Sequence, residues 1–294
     1  MDLKMNDSLN KVWDQLVAKI EGNPGIWEKP WFMNAAGISC TPSNFSTKRK
    51  YSGFNVFNLE ITRLIAGYSS NKWITFNQCA NLGGSVLKGS KGTSIIIYNP
   101  PKFKEDEING EKKDVMIRPP YFGSGYVFNI EQTTLKDDSV PEIVKKYSTI
   151  EEVETIIKKT GAVIREIPSN RAYYSPGDDS ITLPVIDQFK SVEEYYGTKF
   201  HELVHWTGNK SRLNRSIESS SFGSESYSRE ELVAEIGSVF LKTETGINDK
   251  VDNAAAYIKN WWSVIKEDRG SLIDACGKAQ KATNFILSSG AKNT

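Results

Sequence analysis

Histidine is nearly absent from this chain and cysteine is scarce. The 294 residues hold 2 histidines and 3 cysteines. Cys40, Cys79 and Cys276 lie far apart and are odd in number, which excludes a disulfide framework or a cysteine-based zinc motif and suits a reducing compartment. Long apolar runs are missing as well. No stretch approaches the ~18 residues needed to cross a bilayer. The opening residues, MDLKMNDSLN, contain no apolar segment of a secretory signal, and no lipidation box is present. A cytoplasmic protein with no membrane partner is therefore expected. A net charge of +1 excludes a strongly basic or acidic chain. The balance is uneven, however: residues 1–135 are net positive and residues 136–294 net negative. One half is thus suited to a polyanion and the other to a different task.

What is present is globular, with 38% hydrophobic and 25% charged residues. At ~100–200 residues per domain, the length predicts two domains. Leu9, Val12, Trp13, Leu16, Val17 and Ile20 recur at helical spacing, giving a helix over 8–21 capped by Ser8. A long irregular stretch follows, rich in Pro, Gly, Ser and aromatics. A second helix covers 55–66 and ends at Gly67, and a short third one follows Thr75. TSIIIYNP, DVMIR and GYVFNI read as strands, with Asn109-Gly110 as a hairpin turn between the first two. The polar segment 132–148 reads as a linker. Beyond it come a helix at 149–160, strands at 162–167, 171–175 and 180–183, and helices at 191–207, 228–244, 252–267 and 271–288. Ser191 and Ser228, each with Glu three residues on, fit capping boxes. The expected fold class is α+β in two domains, residues 1–131 and 149–294.

Both histidines stand in one motif, KFHELVHWTG. His201 and His205 lie four apart, on one face of a helix, where two imidazoles can grip one metal ion. Glu202 projects at an angle that lets it hold a water beside that ion. This is the His-Glu-x-x-His arrangement of zinc hydrolases. The ion lowers the pKa of water toward ~7 and the glutamate takes the proton. A catalytic zinc usually has three protein ligands, and no third histidine exists. The helix SREELVAEIGSVFL supplies Glu231 and Glu235, four apart on an otherwise apolar face, and either can be the third ligand. The other can orient a histidine through its free ring nitrogen. Glu230, about a third of a turn away, reads as solvated. Tyr195 and Tyr227 are candidates for stabilising an oxyanion. RAYYSPGDDSITLP offers a strand edge to an extended peptide.

In the first half, Lys48, Arg49 and Lys50 directly precede Tyr51, with Asn55 following on a tight backbone path. Trp27, Trp31, Trp73, Lys88 and Lys91 add aromatic faces and cations. Single-stranded nucleic acid is held by such a mixture, each stacked base contributing ~1–3 kcal/mol. No recognition helix or zinc finger suited to duplex DNA is visible.

These segments resemble the ArdC-type antirestriction proteins of conjugative plasmids and other mobile elements. The resemblance rests on YSGFNVFNL, KWITFNQCANLGGSVLKGSKG and IIIY in the first half, and on YYGTKFHELVHWTG followed by YSREELVAEIGSVFL in the second. It covers nearly the whole chain. It implies an N-terminal domain that binds single-stranded DNA and a C-terminal zincin-like metallopeptidase domain acting on a host protein or peptide. It also implies protection of incoming DNA from restriction, either alongside hydrolysis or by DNA binding alone, with the metal site then structural or vestigial. By position it implies one divalent metal, zinc or else manganese, held by His201, His205 and Glu231, with Glu202 as the base. Glu231-x-x-x-Glu235 resembles the Glu-x-x-x-Asp of gluzincin peptidases, with Glu in place of the second acid.

Overall fold

The computed structural model describes residues 6–28, 41–108, 111–136, 150–215, 225–247 and 270–289, with 259, 262, 265, 266 and 268 singly. Helix α1 (Asp7–Glu21) buries Leu9, Val12, Trp13, Leu16 and Ile20, the stripe its spacing predicts. Its cap is Asn6, not Ser8: the Asn6 side chain accepts from the Leu9 N–H at 3.0 Å. Helix α2 (Phe54–Ala66) ends at Gly67 in the left-handed conformation, φ 73°. Helix α3 (Phe76–Asn81) starts with a complete capping box between Thr75 and Gln78.

The first half builds a four-stranded sheet in the order β1 (Ser43–Asn44), β2 (Lys72–Ile74), β6 (Tyr121–Asn129), β3 (Thr93–Asn99). β1 runs parallel to β2, and the other pairs are antiparallel. The expected pairing of TSIIIYNP with DVMIR does not form. DVMIR lies in β5 (Glu111–Arg118), whose partner is β4 (Lys102–Ile108), while β3 pairs with β6. β4 reads KFKEDEI, too charged to look like a strand, but it only has to form one side of an exposed ribbon. The turn residues 109 and 110 lie outside the described residues.

β3 is an outer strand, and α2 covers its open side. The Asn55 side chain donates to the Ile96 carbonyl at 2.7 Å and accepts from the Ile96 N–H at 2.8 Å. Asn58 donates to the Ser94 carbonyl at 2.7 Å. Two asparagines thus satisfy main-chain groups that a neighbouring strand would otherwise take. Trp73 is fully buried among Leu59, Ile95 and Val127, with its ring N–H donated to Asn71 at 3.1 Å.

The segment read as a linker begins inside this half. Thr133 bridges to Val86, and Leu135 packs beside Ile74, Cys79 and Ile130. Residues 137–149 lie outside the described residues. The second half opens with α4 (Ile150–Thr160) and a three-stranded sheet in the order β7 (Val163–Glu166), β9 (Ser180–Leu183), β8 (Tyr173–Ser175). β8 is antiparallel to β9 and is an edge strand. Helices α5 (Val192–Thr207), α6 (Glu225–Thr245) and α7 (Ser271–Ser289) follow among the described residues. Ser191 caps α5 as expected, accepting from the Glu194 N–H. Ser228 lies within α6, three residues after its start, so it is not that helix's cap. Most of the helix predicted over 252–267 lies outside the described residues.

One apolar core spans both halves. Trp13, Leu16, Phe54, Phe57 and Ile61 from the first share it with Ile157, Phe200, Leu203, Leu241 and Ala279 from the second. Polar ties cross the same boundary: the Gly53 N–H donates to Gln280, and Lys50 pairs with Glu244 of α6 at 2.7 Å. Among the described residues, no helix is long and apolar enough to cross a membrane.

Candidate metal centre and nucleic-acid surface

Helix α5 buries Tyr195, Tyr196, Phe200, Leu203, Val204 and Trp206, and α6 packs along it. A glycine sets how close the two helices come. A Cβ added at Gly237 would lie 2.7 Å from the Val204 side chain. Glycine inside a helix costs ~1 kcal/mol relative to alanine, offset here by the close approach it permits. Ser238 then donates to the Gly197 carbonyl at 2.9 Å. This contact carries Glu231 across to the histidines.

Among the described residues, one group of side chains can hold a metal ion: His201, His205 and Glu231, with donor atoms all within 4.8 Å of one another. The two Nε2 atoms are 3.1 Å apart, and the Glu231 oxygens lie 3.4 Å from each. Two donors about 2.0–2.1 Å from a tetrahedral ion stand about 3.4 Å apart, so the set fits a small divalent cation. The remaining ring nitrogens face carboxylates. His201 Nδ1 is 3.5 Å from Glu235, and His205 Nδ1 is 3.3 Å from Glu230. Glu235 therefore stands behind a histidine and not among the converging donors.

Glu230 departs from the sequence reading. It is not solvated but 11% exposed, and it accepts a forked hydrogen bond from Arg215. Helical angle alone placed it off the apolar face, and Arg215, fifteen residues away, gave no local signal. Tyr195 is also corrected. Its buried hydroxyl donates to Glu166 and receives a hydrogen bond from Lys199, so it is not available to an oxyanion. The Tyr227 side chain lies outside the described residues.

Glu202 is 7% exposed. Burial raises its pKa, against the pull of the nearby histidines, and the Tyr174 backbone of β8 also hydrogen-bonds to it. Burial would lower the pKa of His205, but Glu230 and Glu231 override it and hold the imidazole at about 10. Burial opposes the ionisation of Glu231, and the two histidines overcome it, leaving its pKa far below the usual range. The metal-free site therefore carries a protonated His205 at pH 7. Ligation requires the neutral ring, so uptake of a divalent ion should release about one proton from this residue. Affinity should climb with pH up to about 10, at most ~10-fold per unit. Calorimetry in buffers of different ionisation enthalpy reads the released proton, and a buffer-independent heat would contradict the assignment.

β8 is fastened beside α5. The Tyr174 hydroxyl donates to Asp179, and Arg212 reaches both Asp179 oxygens and the Trp206 carbonyl while stacking on the Trp206 ring.

The sequence-derived nucleic-acid residues separate into two groups. Lys48, Arg49, Lys88 and Lys91 are exposed, and Lys48 lies over the Phe45 ring at 4.4 Å. Lys50 is engaged with Glu244, and the half-buried Tyr51 packs against the core. Trp73 is core and Asn55 clasps β3, so neither offers a face to a ligand. Trp27 lies in the 3-10 turn Pro24–Glu28, and Trp31 lies outside the described residues. Phe76, Tyr98 and Tyr121 are exposed aromatics that sequence reading passes over. Phe76 is 60% exposed at the start of α3. That helix is joined to the 44–49 turn by the hydrogen bond from Asn44 to Gln78, at 3.0 Å.

The fold and this centre define the class. Residues 151–278 match the family model of a zincin-like metallopeptidase, so this half is a zincin-like domain. Residues 6–128 match the N-terminal domain of anti-restriction factor ArdC. The chain superposes on the metal-free crystal structure of antirestriction ArdC from plasmid R388 with a TM-score of 0.73. That match has 36% identity and covers 98% of this chain and 100% of that one. The Mn(II)-bound structure of the same protein gives 0.73 at 35% identity. The chain belongs to the ArdC antirestriction family. It is also 35% identical to a DNA primase TraC of Escherichia coli over 94% of its own length, but it spans only 27% of that primase. An uncharacterised Sinorhizobium fredii protein, y4eC, is 27% identical and covered over 91% of its length.

Proposed function

We propose that this chain protects DNA from restriction by binding it as a single strand through the first half, and that the second half is a metal-dependent peptide hydrolase. The convergence of His201, His205 and Glu231 beside buried Glu202 carries the second part. A divalent ion, zinc or manganese, held by those three residues would supply Lewis acidity and an acidified water. His201 and His205 would turn their Nε2 atoms to it, each ring backed by a carboxylate at Nδ1. Glu202 takes the proton of the attacking water and delivers it to the departing amine. Its raised pKa suits a group that must both accept and release a proton. β8, an edge strand against α5, offers main-chain groups to an extended peptide.

For the first half, the supporting observation is the joined surface of Lys48, Arg49 and Phe76, with Lys88 and Lys91 also exposed. Replacing Lys48 and Arg49 together by Ala should weaken binding of an oligo-dT strand and flatten its salt dependence. The loss in log–log slope should be about 0.7 per abandoned phosphate contact. An unchanged slope in fluorescence anisotropy titrations would place the DNA elsewhere.

A further inference from the structure

We propose that Glu230 and Arg215 are positioning residues of the metal centre, a charged fork that fixes His205 and locks together the two helices that carry the ligands. This rests on the metal-binding reading above. Glu230 and Glu231 are adjacent on α6 yet address opposite nitrogens of one imidazole. Glu230 lies 3.3 Å from His205 Nδ1, and Glu231 lies 3.4 Å from Nε2. One acid sets the ring's orientation and leaves the other free to converge with it on the ion.

Arg215 holds Glu230 in that role. Its Nη2 donates to Glu230 Oε1 at 2.8 Å and its Nε to Oε2 at 3.1 Å. The same guanidinium crosses to α5, donating to the Val204 carbonyl at 2.5 Å and to Thr207 Oγ1 at 2.8 Å. Val204 immediately precedes His205, in the last turn of α5. Gly208 turns its N–H to the His205 carbonyl, so Arg215 serves a carbonyl at the helix end, where a cation is favoured. The positive charge also answers an electrostatic need. Glu202, Glu230, Glu231 and Glu235 surround two histidines, and a buried carboxylate without a counter-charge is costly. Only a planar fork spans Glu230, Val204 and Thr207 at once, which a lysine does not do.

The test uses the full chain and measures Zn(II) affinity by chelator competition, together with the visible absorption of the Co(II)-loaded protein. Glu230→Gln and Arg215→Met should each weaken Zn(II) binding about 10–100-fold and alter the Co(II) spectrum. The double variant should be little worse than the weaker single one, because the two residues act as a unit. Arg215→Lys should recover only part of the loss. Glu230→Gln is isosteric and keeps the question answerable should Arg215→Met fold poorly. If affinity and Co(II) spectrum are unchanged in Glu230→Gln while its melting temperature falls, the pair serves packing alone and the proposal is overturned. A wild-type chain that takes up neither Zn(II) nor Co(II) would instead overturn the metal centre itself.

Discussion

Glu202→Gln should leave metal uptake intact and lower peptide hydrolysis by roughly 10²–10⁴-fold, the usual contribution of general acid–base catalysis. The substitution keeps the shape of a side chain that is 7% exposed, and it removes a buried carboxyl whose pKa is raised by desolvation. The fold should therefore survive. Glutamine cannot accept the proton of the attacking water, so the loss falls on the rate and not on loading. An unfolded protein such as casein serves as substrate, with zinc content measured in parallel. Equal rates in variant and wild type would remove Glu202 from the chemistry. Scoring the same variant for protection of transferred DNA separates the two activities. Full protection without hydrolysis would show that shielding runs through DNA contact alone.

Removing a ligand should have a different signature. His205→Ala or Glu231→Gln should cut metal affinity by on the order of 100-fold or more. Total binding energies of ~10–16 kcal/mol shared among four ligands imply about 3 kcal/mol for each. Unlike Glu202→Gln, these variants should lose hydrolysis and metal together. His205→Ala also removes one of the partners that lower the pKa of Glu230 and Glu231 in the metal-free protein, leaving Arg215 beside the first and His201 beside the second. Equilibrium dialysis against Zn(II) decides the matter, and retention of one tightly bound ion in either variant would exclude that residue as a ligand.

Local patterns are legible in the sequence. Histidines four apart on one helix needed only the periodicity of an α-helix, and the burial of α1 and α5 followed from apolar spacing. The sequence is silent where the deciding partner lies far along the chain. Glu230 looked solvated because its helical angle was off the apolar stripe, but Arg215 and His205 make it an interior residue. Trp73 and Asn55 looked like nucleic-acid contacts because an aromatic ring and an amide are chemically suited to both tasks. What removed them was tertiary: a sheet face closing over one and an open strand needing the other. KFKEDEI has too few apolar residues to register as a strand, and Lys102, Phe103, Lys104 and Glu105 stay exposed, outside the core. Gly237 carried a readable hint, a helix-weakening residue amid good helix formers, and its reason appeared only with Val204 against it.

The shared interior has a consequence for how this molecule comes apart. The matched family regions end at residue 128 and begin again at 151, inviting a cut between them. Yet Trp13 and Phe54 lie in the same apolar mass as Phe200 and Leu241, so such a cut would strip both fragments of their inner lining. Heat or denaturant should therefore melt the whole chain in one cooperative event, and either portion made alone should be less stable than it is in the whole chain.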